Sequence, residues 1–309
     1  MTALADALAD YLTMRRALGF KLERAGGLLA DFVAEAGRVG AQRVTVELAL
    51  RWATEPVGAD PVWHGARLSA VRGFARYLAA IDPATEIPPA DLLPGRSHRA
   101  VPYLYTDAEI AALMAEARNL RSRLRGMTYA TLIGLLAATG LRIGEAIALD
   151  RGDVDLPGAL ITVRNAKFGK SRQLPLHSSV TNALTCYAET RDALCPSPRT
   201  DAWFVSNAGT RLIYKNAHEV FHQLTERVGL RARGPRCRPR PHDLRHTFAI
   251  ATVLDWYRDG DDVASRMPLL STYLGHVSPS DTYWYLSAAP ELLIEAAQRL
   301  EPDQEDHQR

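Results

Sequence analysis

The chain has 309 residues, of which 47% are hydrophobic and 23% are charged, and its formal net charge is +2. This length and composition are typical of a globular protein of about two domains. They exclude an intrinsically disordered protein, which would have too few apolar residues to bury a core. No apolar run could cross a bilayer, no secretory signal is recognisable, and the three cysteines lack CxxC spacing. We therefore expect a cytoplasmic protein with no membrane partner, no cofactor and no metal site.

Residues 1 to about 90 are predicted to be helical, because apolar side chains recur at helical spacing in four stretches. The first stretch ends at Gly19, Thr45 can cap the third, and the fourth runs from about Pro61 to Ile81. The positions expected to form the core are Leu4, Leu8, Tyr11, Leu12, Leu28, Leu29, Phe32, Val33, Leu48, Trp52, Leu68, Val71, Phe74 and Leu78.

A change of composition marks a domain boundary after the fourth helix. Residues 83–102 are rich in proline and lack a helical period, which is typical of an exposed linker. We place the boundary near Gly95. The prediction is a helical domain at 1–95, a linker at 96–105 and a second domain at 106–309.

The second domain is predicted to be mixed. Thr106 and Glu109 form a capping-box pattern at the start of a helix, and a long apolar helix ends at Gly140 with a left-handed cap. Alternating residues predict a β-hairpin with a strand at 160–164, a turn at 165–169 and a return strand at 171–176. The rest is mainly helical to about residue 300. The predicted fold class is mainly α with a small β-hairpin, the second domain being α+β.

Several polar residues of the second domain suit chemistry on a phosphodiester. Guanidinium is planar and always charged, so Arg142 and Arg245 suit phosphate oxygens. Arg142 follows the glycine that ends a buried helix, and Arg245 lies three residues after His242, which puts both on one side of a helix. Lys167 lies in the hairpin turn, where nearby arginines would lower its pKa and improve it as a general acid. A tyrosine hydroxyl is the available nucleophile, although its pKa of about 10 requires help to ionise.

The motifs that hold these residues resemble the tyrosine recombinase (phage integrase) family. The family has an arginine in a TGLRxxE context, a hairpin lysine before a strand ending in LPL, and HxLRH, LGH and a tyrosine nine residues later. The matching positions are Arg142 with Glu145, Lys167, His242 to His246, His276 and Tyr285. The resemblance covers residues 103 to 300 by motif and the N-terminal region by layout. The stretch between HDLRH and LGH is longer than usual, which is similar to recombinases carried by bacterial transposons.

The resemblance implies a role for each position. Arg142 and Arg245 would bind the scissile phosphate, while Lys167 would be the general acid, with Lys170 as an alternative. His242 would be the general base or proton shuttle, His276 would hydrogen-bond a phosphate oxygen, and Tyr285 would attack to form a 3′-phosphotyrosine. His246 is expected to be structural.

The resemblance also implies how the enzyme assembles on DNA. The first domain would be a core-binding (SAM-like) domain that forms half of a C-shaped clamp, and its basic residues include Arg15, Arg16, Lys21, Arg67, Arg72 and Arg76. The substrate would be double-stranded DNA with inverted half-sites, bound by a homotetramer with sister recombinases or DNA-bending accessory proteins. An apolar stripe after Pro290 is expected to form a terminal helix that passes to a neighbouring protomer.

Two other functions are compatible with the motifs. A type IB topoisomerase-like enzyme would use the same chemistry without strand exchange, and comparing recombination of two sites with relaxation separates these activities. A catalytically silent DNA-binding protein is the alternative from another class. Loss of Tyr285 or Arg142 would indicate it, and both residues are present.

Overall fold

The computed structural model describes residues 3–94, 101–164, 171–275 and 282–283. The chain divides into two compact units, Met1–Ala100 and Val101–Arg309. Within the described residues, no helix is both long and apolar enough to span a membrane. The architecture confirms the predicted fold class, because helices predominate and one small antiparallel sheet lies in the second unit.

The described residues of the first unit, 3–94, form four helices, α1 Ala3–Ala17, α2 Glu23–Arg38, α3 Val46–Thr54 and α4 Pro61–Ala79. The predicted helix starts and stops at Gly19, Thr45 and Pro61 are confirmed. Gly19 has a φ of 86°, the Thr45 hydroxyl accepts a hydrogen bond from the Leu48 amide at 3.2 Å, and Pro61 is the first residue of α4. Most of the predicted apolar positions lie in one buried core, in which the Phe32 and Trp52 rings meet at 5.3 Å.

At least three of the six basic residues named for the first domain make side-chain contacts within it. The Arg67 guanidinium is buried over the Trp52 ring, 3.8 Å from its centroid, and donates to the Trp52 carbonyl oxygen at 2.8 Å. Arg72 donates to the carbonyl oxygens of Pro88 and Pro89, each at 2.7 Å, and Arg15 lies over a phenylalanine ring. Arg67, one of the basic residues named for this domain, therefore packs in the core.

The second unit begins with the tyrosines at 103 and 105, which are buried in its core. The predicted linker 96–105 therefore extends too far at its C-terminal end, because residues 101–105 belong to the second unit. The helices are α5 Asp107–Arg118, α6 Arg123–Thr139, α7 Ile143–Ala148, α8 Ser178–Leu194, α9 Tyr214–Arg227, α10 Asp243–Arg258 and α11 Val263–Leu274. The capping box of Thr106 and Glu109 is confirmed, as is the left-handed cap at Gly140, whose φ is 61°.

The sheet has three strands in the order β1-β2-β3, namely β1 Val154–Asp155, β2 Leu160–Val163 and β3 Arg172–Pro175. Strands β2 and β3 pair antiparallel, with Ile161 opposite Leu174, which confirms the two predicted strands. Strand β1 was not predicted, because two residues carry no alternating pattern. The turn predicted at 165–169 and the helix predicted after Pro290 lie outside the described residues.

Candidate active site

The carboxyl end of α11 is the point where the candidate residues of the second unit meet. The helix ends at Leu274, and Gly275 follows with a φ of 68°. The last carbonyl groups of a helix have no partner within the helix, and they carry the negative end of its dipole. Here three consecutive carbonyl oxygens each accept a hydrogen bond from an arginine that comes from a different element: Tyr273 from Arg172, Leu274 from Arg245 and Gly275 from Arg142.

Arg245 lies in the first turn of α10 and is 1% exposed. Its Nη1 donates to the Gly140 carbonyl oxygen at 2.8 Å, and its Nη2 donates to the Leu274 carbonyl oxygen at 2.6 Å. The side chain therefore joins the end of α6 to the end of α11. An arginine held by two carbonyl groups keeps its full charge and a fixed orientation, which suits it to fix an anion.

Arg142 precedes α7 and is more accessible, with a side chain 33% exposed. Its Nη1 donates to Glu145 Oε1 at 2.8 Å, its backbone amide donates to Glu145 Oε2 at 3.1 Å, and its Nη2 reaches the Gly275 carbonyl oxygen at 3.4 Å. The last of these bonds is long and correspondingly weak. Arg142 is thus held at one side by a carboxylate, and an incoming anion can replace its weakest contact.

Glu145 is shared between two arginines. Arg172 donates to both of its oxygens, from Nη1 at 3.2 Å and from Nη2 at 2.8 Å. Burial would raise the pKa of Glu145, but the hydrogen bonds and charge of Arg172, together with Arg142, outweigh burial and hold that pKa below its ordinary value. The carboxylate is therefore ionised at neutral pH and neutralises part of the positive charge.

Sequence reasoning missed Arg172. The side chain is 12% exposed, and its Nε also donates to the Tyr273 carbonyl oxygen at 2.8 Å. One signal could have found it. Residues of a strand alternate between faces, so Arg172 shares a face of β3 with Leu174, which is buried. An arginine on the inward face of a strand requires a buried partner.

His242 occupies the position just before α10. The residue is exposed to solvent. The pKa of His242 is nevertheless lowered to about 4, first by desolvation of the ring and then by the positive charges of Arg245 and Arg142. The imidazole is neutral at pH 7 and can accept a proton. The His246 ring meets it edge-to-face at 4.7 Å between centroids, and His246 is buried, as expected of a structural residue.

A buried ion pair fixes the turn that carries His242. Arg240 donates from Nε and Nη2 to the two carboxylate oxygens of Asp243, at 3.0 and 2.7 Å, and Asp243 is fully buried. Tyr105 donates from its hydroxyl to the Arg240 carbonyl oxygen at 3.1 Å, and its amide donates to Thr247 Oγ1 at 2.9 Å. The buried tyrosine therefore ties the start of the second unit to this turn.

Three of the predicted site residues, Lys167, His276 and Tyr285, lie outside the described residues, as does Lys170. Arg142 and Arg245 meet at the carbonyl groups that end α11, beside Gly275, the residue before His276, and their positive charges lower the pKa of His242. The described part of the chain contains no group of three His, Cys, Asp or Glu side chains that could hold a metal ion. What the described residues form is a cationic site with a neutral imidazole and one shared carboxylate.

Comparison with known proteins identifies the family to which this arrangement belongs. The profile of the phage integrase family matches residues 104–291, more than half of the chain. The chain belongs to the phage integrase family. It is a tyrosine-type site-specific recombinase, and its predicted family and enzyme class are confirmed.

Relatives match along most of this integrase-family chain. It is 44% identical to a protein of Sinorhizobium fredii named as the integrase/recombinase y4rB, over 99% of each chain. It is 30% identical to tyrosine recombinase XerC of Herpetosiphon aurantiacus, over 75% of this chain and 72% of that protein.

Solved structures share the fold of this recombinase. The Tn1549 transposon integrase in complex with transposon right end DNA superposes with a TM-score of 0.66 at 18% identity, over 97% of this chain and 98% of that chain. The XerA recombinase gives a TM-score of 0.53 at 23% identity, over 97% and 98%.

Proposed function

We propose that this recombinase cleaves and rejoins DNA through a 3′-phosphotyrosine formed by Tyr285. The observation that carries the proposal is the meeting of Arg142 and Arg245 at the last carbonyl groups before His276, together with a neutral His242 on which their charges act. Tyr285 follows His276 at the spacing of the family motif. A phosphotyrosine ester retains the energy of the broken bond, so rejoining requires no ATP.

The two arginines are proposed to bind the scissile phosphate. Charge that develops on the phosphate oxygens is best stabilised by donors that are already oriented. Arg245 is oriented by the Gly140 and Leu274 carbonyl groups, and Arg142 by Glu145. The Arg142 side chain stays 33% exposed while Glu145 holds it, which leaves it room to meet a phosphate.

Proton transfer is assigned to His242 and Lys167. His242 is neutral at pH 7 because of its lowered pKa, so it can accept the proton that the attacking Tyr285 hydroxyl loses. Lys167 would donate a proton to the departing 5′ oxygen, and Lys170 is the alternative donor. His276 would donate a hydrogen bond to a phosphate oxygen.

The first unit is proposed to be the core-binding half of a DNA clamp, with residues 1–95 as its helical body. Of its basic residues, Arg16, Lys21 and Arg76 are exposed and can meet phosphates. The DNA substrate is proposed to carry inverted half-sites, occupied by a homotetramer that the segment after Pro290 links. Sister recombinases or DNA-bending proteins would assist. The three cysteines are free thiols, which suits the cytoplasm and the nucleoid.

The decisive experiment compares two neighbouring tyrosines. Tyr285→Phe is expected to keep DNA binding and to lose the covalent protein–DNA adduct, because no other group would attack the phosphate. Tyr283→Phe is the matched control and is expected to keep adduct formation; the Tyr283 side chain is about half exposed. Adducts are measured on a nicked half-site substrate by denaturing gel. An adduct that survives in Tyr285→Phe but not in Tyr283→Phe contradicts the assignment. Relaxation of supercoils without exchange between two sites would favour the topoisomerase-like alternative.

A further inference from the structure

Arg172 has three hydrogen bonds to two elements that hold candidate site residues. From strand β3 it donates to both oxygens of Glu145 and to the Tyr273 carbonyl oxygen. The family motif of this chain assigns nothing to Arg172. Its guanidinium is close to fully buried, so the hydrogen bonds and the charge it contributes are only weakly screened.

The contact with Glu145 controls how Arg142 is held. Two arginines compete for one carboxylate, and Arg172 takes both oxygens while Arg142 makes one side-chain bond. Loss of Arg172 would leave the whole carboxylate to Arg142. Arg142 would then turn into a bidentate pair with Glu145, which is the stronger arrangement for an arginine and a carboxylate, and away from the phosphate.

The contact with Tyr273 fixes the end of α11. The Tyr273 carbonyl oxygen lies at the helix end, two residues before Gly275. The packing there is close, because a Cβ built on Gly275 would lie 2.8 Å from Nη1 of Arg172. The same guanidinium therefore touches the point at which the chain leaves the helix toward His276.

We propose that Arg172 is a positioning residue of the recombinase centre. By occupying Glu145 it leaves the Arg142 guanidinium available to an anion, and its bond to the Tyr273 carbonyl oxygen holds the Arg172 guanidinium in place for this task. The proposal rests on the proposed function of Arg142 as a phosphate-binding group.

The first test separates DNA binding from the chemical step in Arg172→Met. Single-turnover adduct formation at saturating protein is expected to fall about 100-fold, the scale of an ångström-sized misplacement of a reacting group. Half-site Kd is expected to change less than about threefold, since the lost interaction acts in the transition state. Arg172→Lys is expected to form the adduct about tenfold faster than Arg172→Met. An ammonium keeps the charge but lacks the several N–H donors with which the guanidinium binds Glu145 and Tyr273 together.

A second readout is the pH profile of the adduct rate. Arg172 is the main group that lowers the pKa of Glu145 against the effect of burial. In Arg172→Met the acid limb of the profile is therefore expected to move to higher pH. The double variant supplies a third readout: in an Arg142→Ala background, Arg172→Met is expected to cost less than about threefold, because its effect passes through Arg142.

Arg191→Met is the matched control. Arg191 is also buried, and it also donates to one carboxylate, Asp192, and one carbonyl oxygen, that of Trp203. Its loss is expected to reduce stability as Arg172→Met does, while the adduct rate at a temperature below both melting transitions stays within about twofold. If Arg172→Met does not fold, Arg172→Lys decides: a slower adduct rate at unchanged Kd supports the role, and an unchanged adduct rate overturns it.

The outcomes distinguish the two proposals. Absence of a Tyr285-dependent adduct in the unaltered protein overturns the proposed function itself. If the unaltered protein forms that adduct, three results overturn the role of Arg172: a rate equal to that of Arg191→Met, a Kd that rises as much as the rate falls, or an undiminished cost in the Arg142→Ala background. A rate loss without a Kd change, together with the pH shift, supports the role.

Discussion

Gly140→Ala is expected to destabilise the second unit, because a left-handed backbone and close neighbouring side chains both oppose the added methyl group. Gly140 has a φ of 61°, and an alanine in the left-handed region costs roughly 1–2 kcal/mol. The added Cβ would also lie 2.6 Å from Cδ1 of Phe248 and 3.0 Å from Cδ2 of Leu274. The Phe248 ring stacks on Tyr273 at 5.7 Å, so it is not free to move aside. Overpacking of this kind adds about 1–3 kcal/mol, and we expect a total loss of roughly 2–5 kcal/mol in the free energy of unfolding.

Gly144→Ala is the control. Gly144 lies in α7, and a Cβ built there has no neighbouring atom within 4 Å. Alanine in a helix is more stable than glycine by roughly 0.5–1 kcal/mol, so this variant should be slightly stabilised. Hydrogen exchange of α6 peptides during a urea titration measures the free energy of unfolding of the second unit separately from that of the first.

Gly140→Ala should also affect the site, because the Gly140 carbonyl oxygen holds Arg245. A displaced Arg245 is expected to slow adduct formation even at temperatures where the variant is folded. A loss of less than about 1 kcal/mol, or a loss no different from that of Gly144→Ala, would refute the reasoning from the left-handed turn and the close Phe248 contact.

Three further predictions follow from the charges and the proposed roles. Lys167→Ala should slow cleavage of normal DNA and be rescued by a sulfur leaving group, which needs no proton; rescue of Lys170→Ala instead would transfer the role. The free energy of unfolding should fall as the pH drops from about 6.5 toward 4, because the folded-state pKa of His242 is about 4 and the unfolded chain takes up that proton first. In urea titrations across this pH range, His242→Gln should show a shallower fall. An unchanged slope of stability against pH would contradict the lowered pKa. If Arg76 contacts one phosphate, Arg76→Gln should flatten the log–log slope of DNA affinity against salt by about 0.9. The guanidinium of Arg72 donates to two proline carbonyl oxygens, so Arg72→Gln should leave that slope unchanged. Equal slopes for both variants would count against a DNA contact at Arg76.

Much of the fold could be predicted from the sequence, because its signals are local. Helix spacing, the capping box at Thr106 and the glycine after α6 each act within a few residues, and each is confirmed. Strand β1 and the six-residue helix α7 were missed because they are too short to show a period. Tyr103 and Tyr105 looked like linker residues beside prolines, and only tertiary packing buries them.

The site was predictable to the extent that its residues stand in short motifs. Arg142 and Arg245 meet at the end of α11 and their charges act on His242, while the roles of these three residues, like those of Lys167, His276 and Tyr285, stay predictions. Arg172 could not be recognised by motif, because its partner carbonyl at Tyr273 is 101 residues away. The burial of Arg67 could not be predicted for a related reason: composition gives its charge but not the Trp52 ring beneath it.

The three arginines at the end of α11 have a consequence for the order in which the enzyme matures. Their bonds to the carbonyl groups of Tyr273, Leu274 and Gly275 join residues that are 101, 29 and 133 positions apart in the chain. Contacts across such separations require the intervening chain to be collapsed first, so they are expected to form late in folding. A chain still leaving the ribosome would have the arginines proposed to bind phosphate but not the helix end that orients them. Competence to cut DNA would then arrive only with the completed fold, which protects the genome from partly synthesised recombinase.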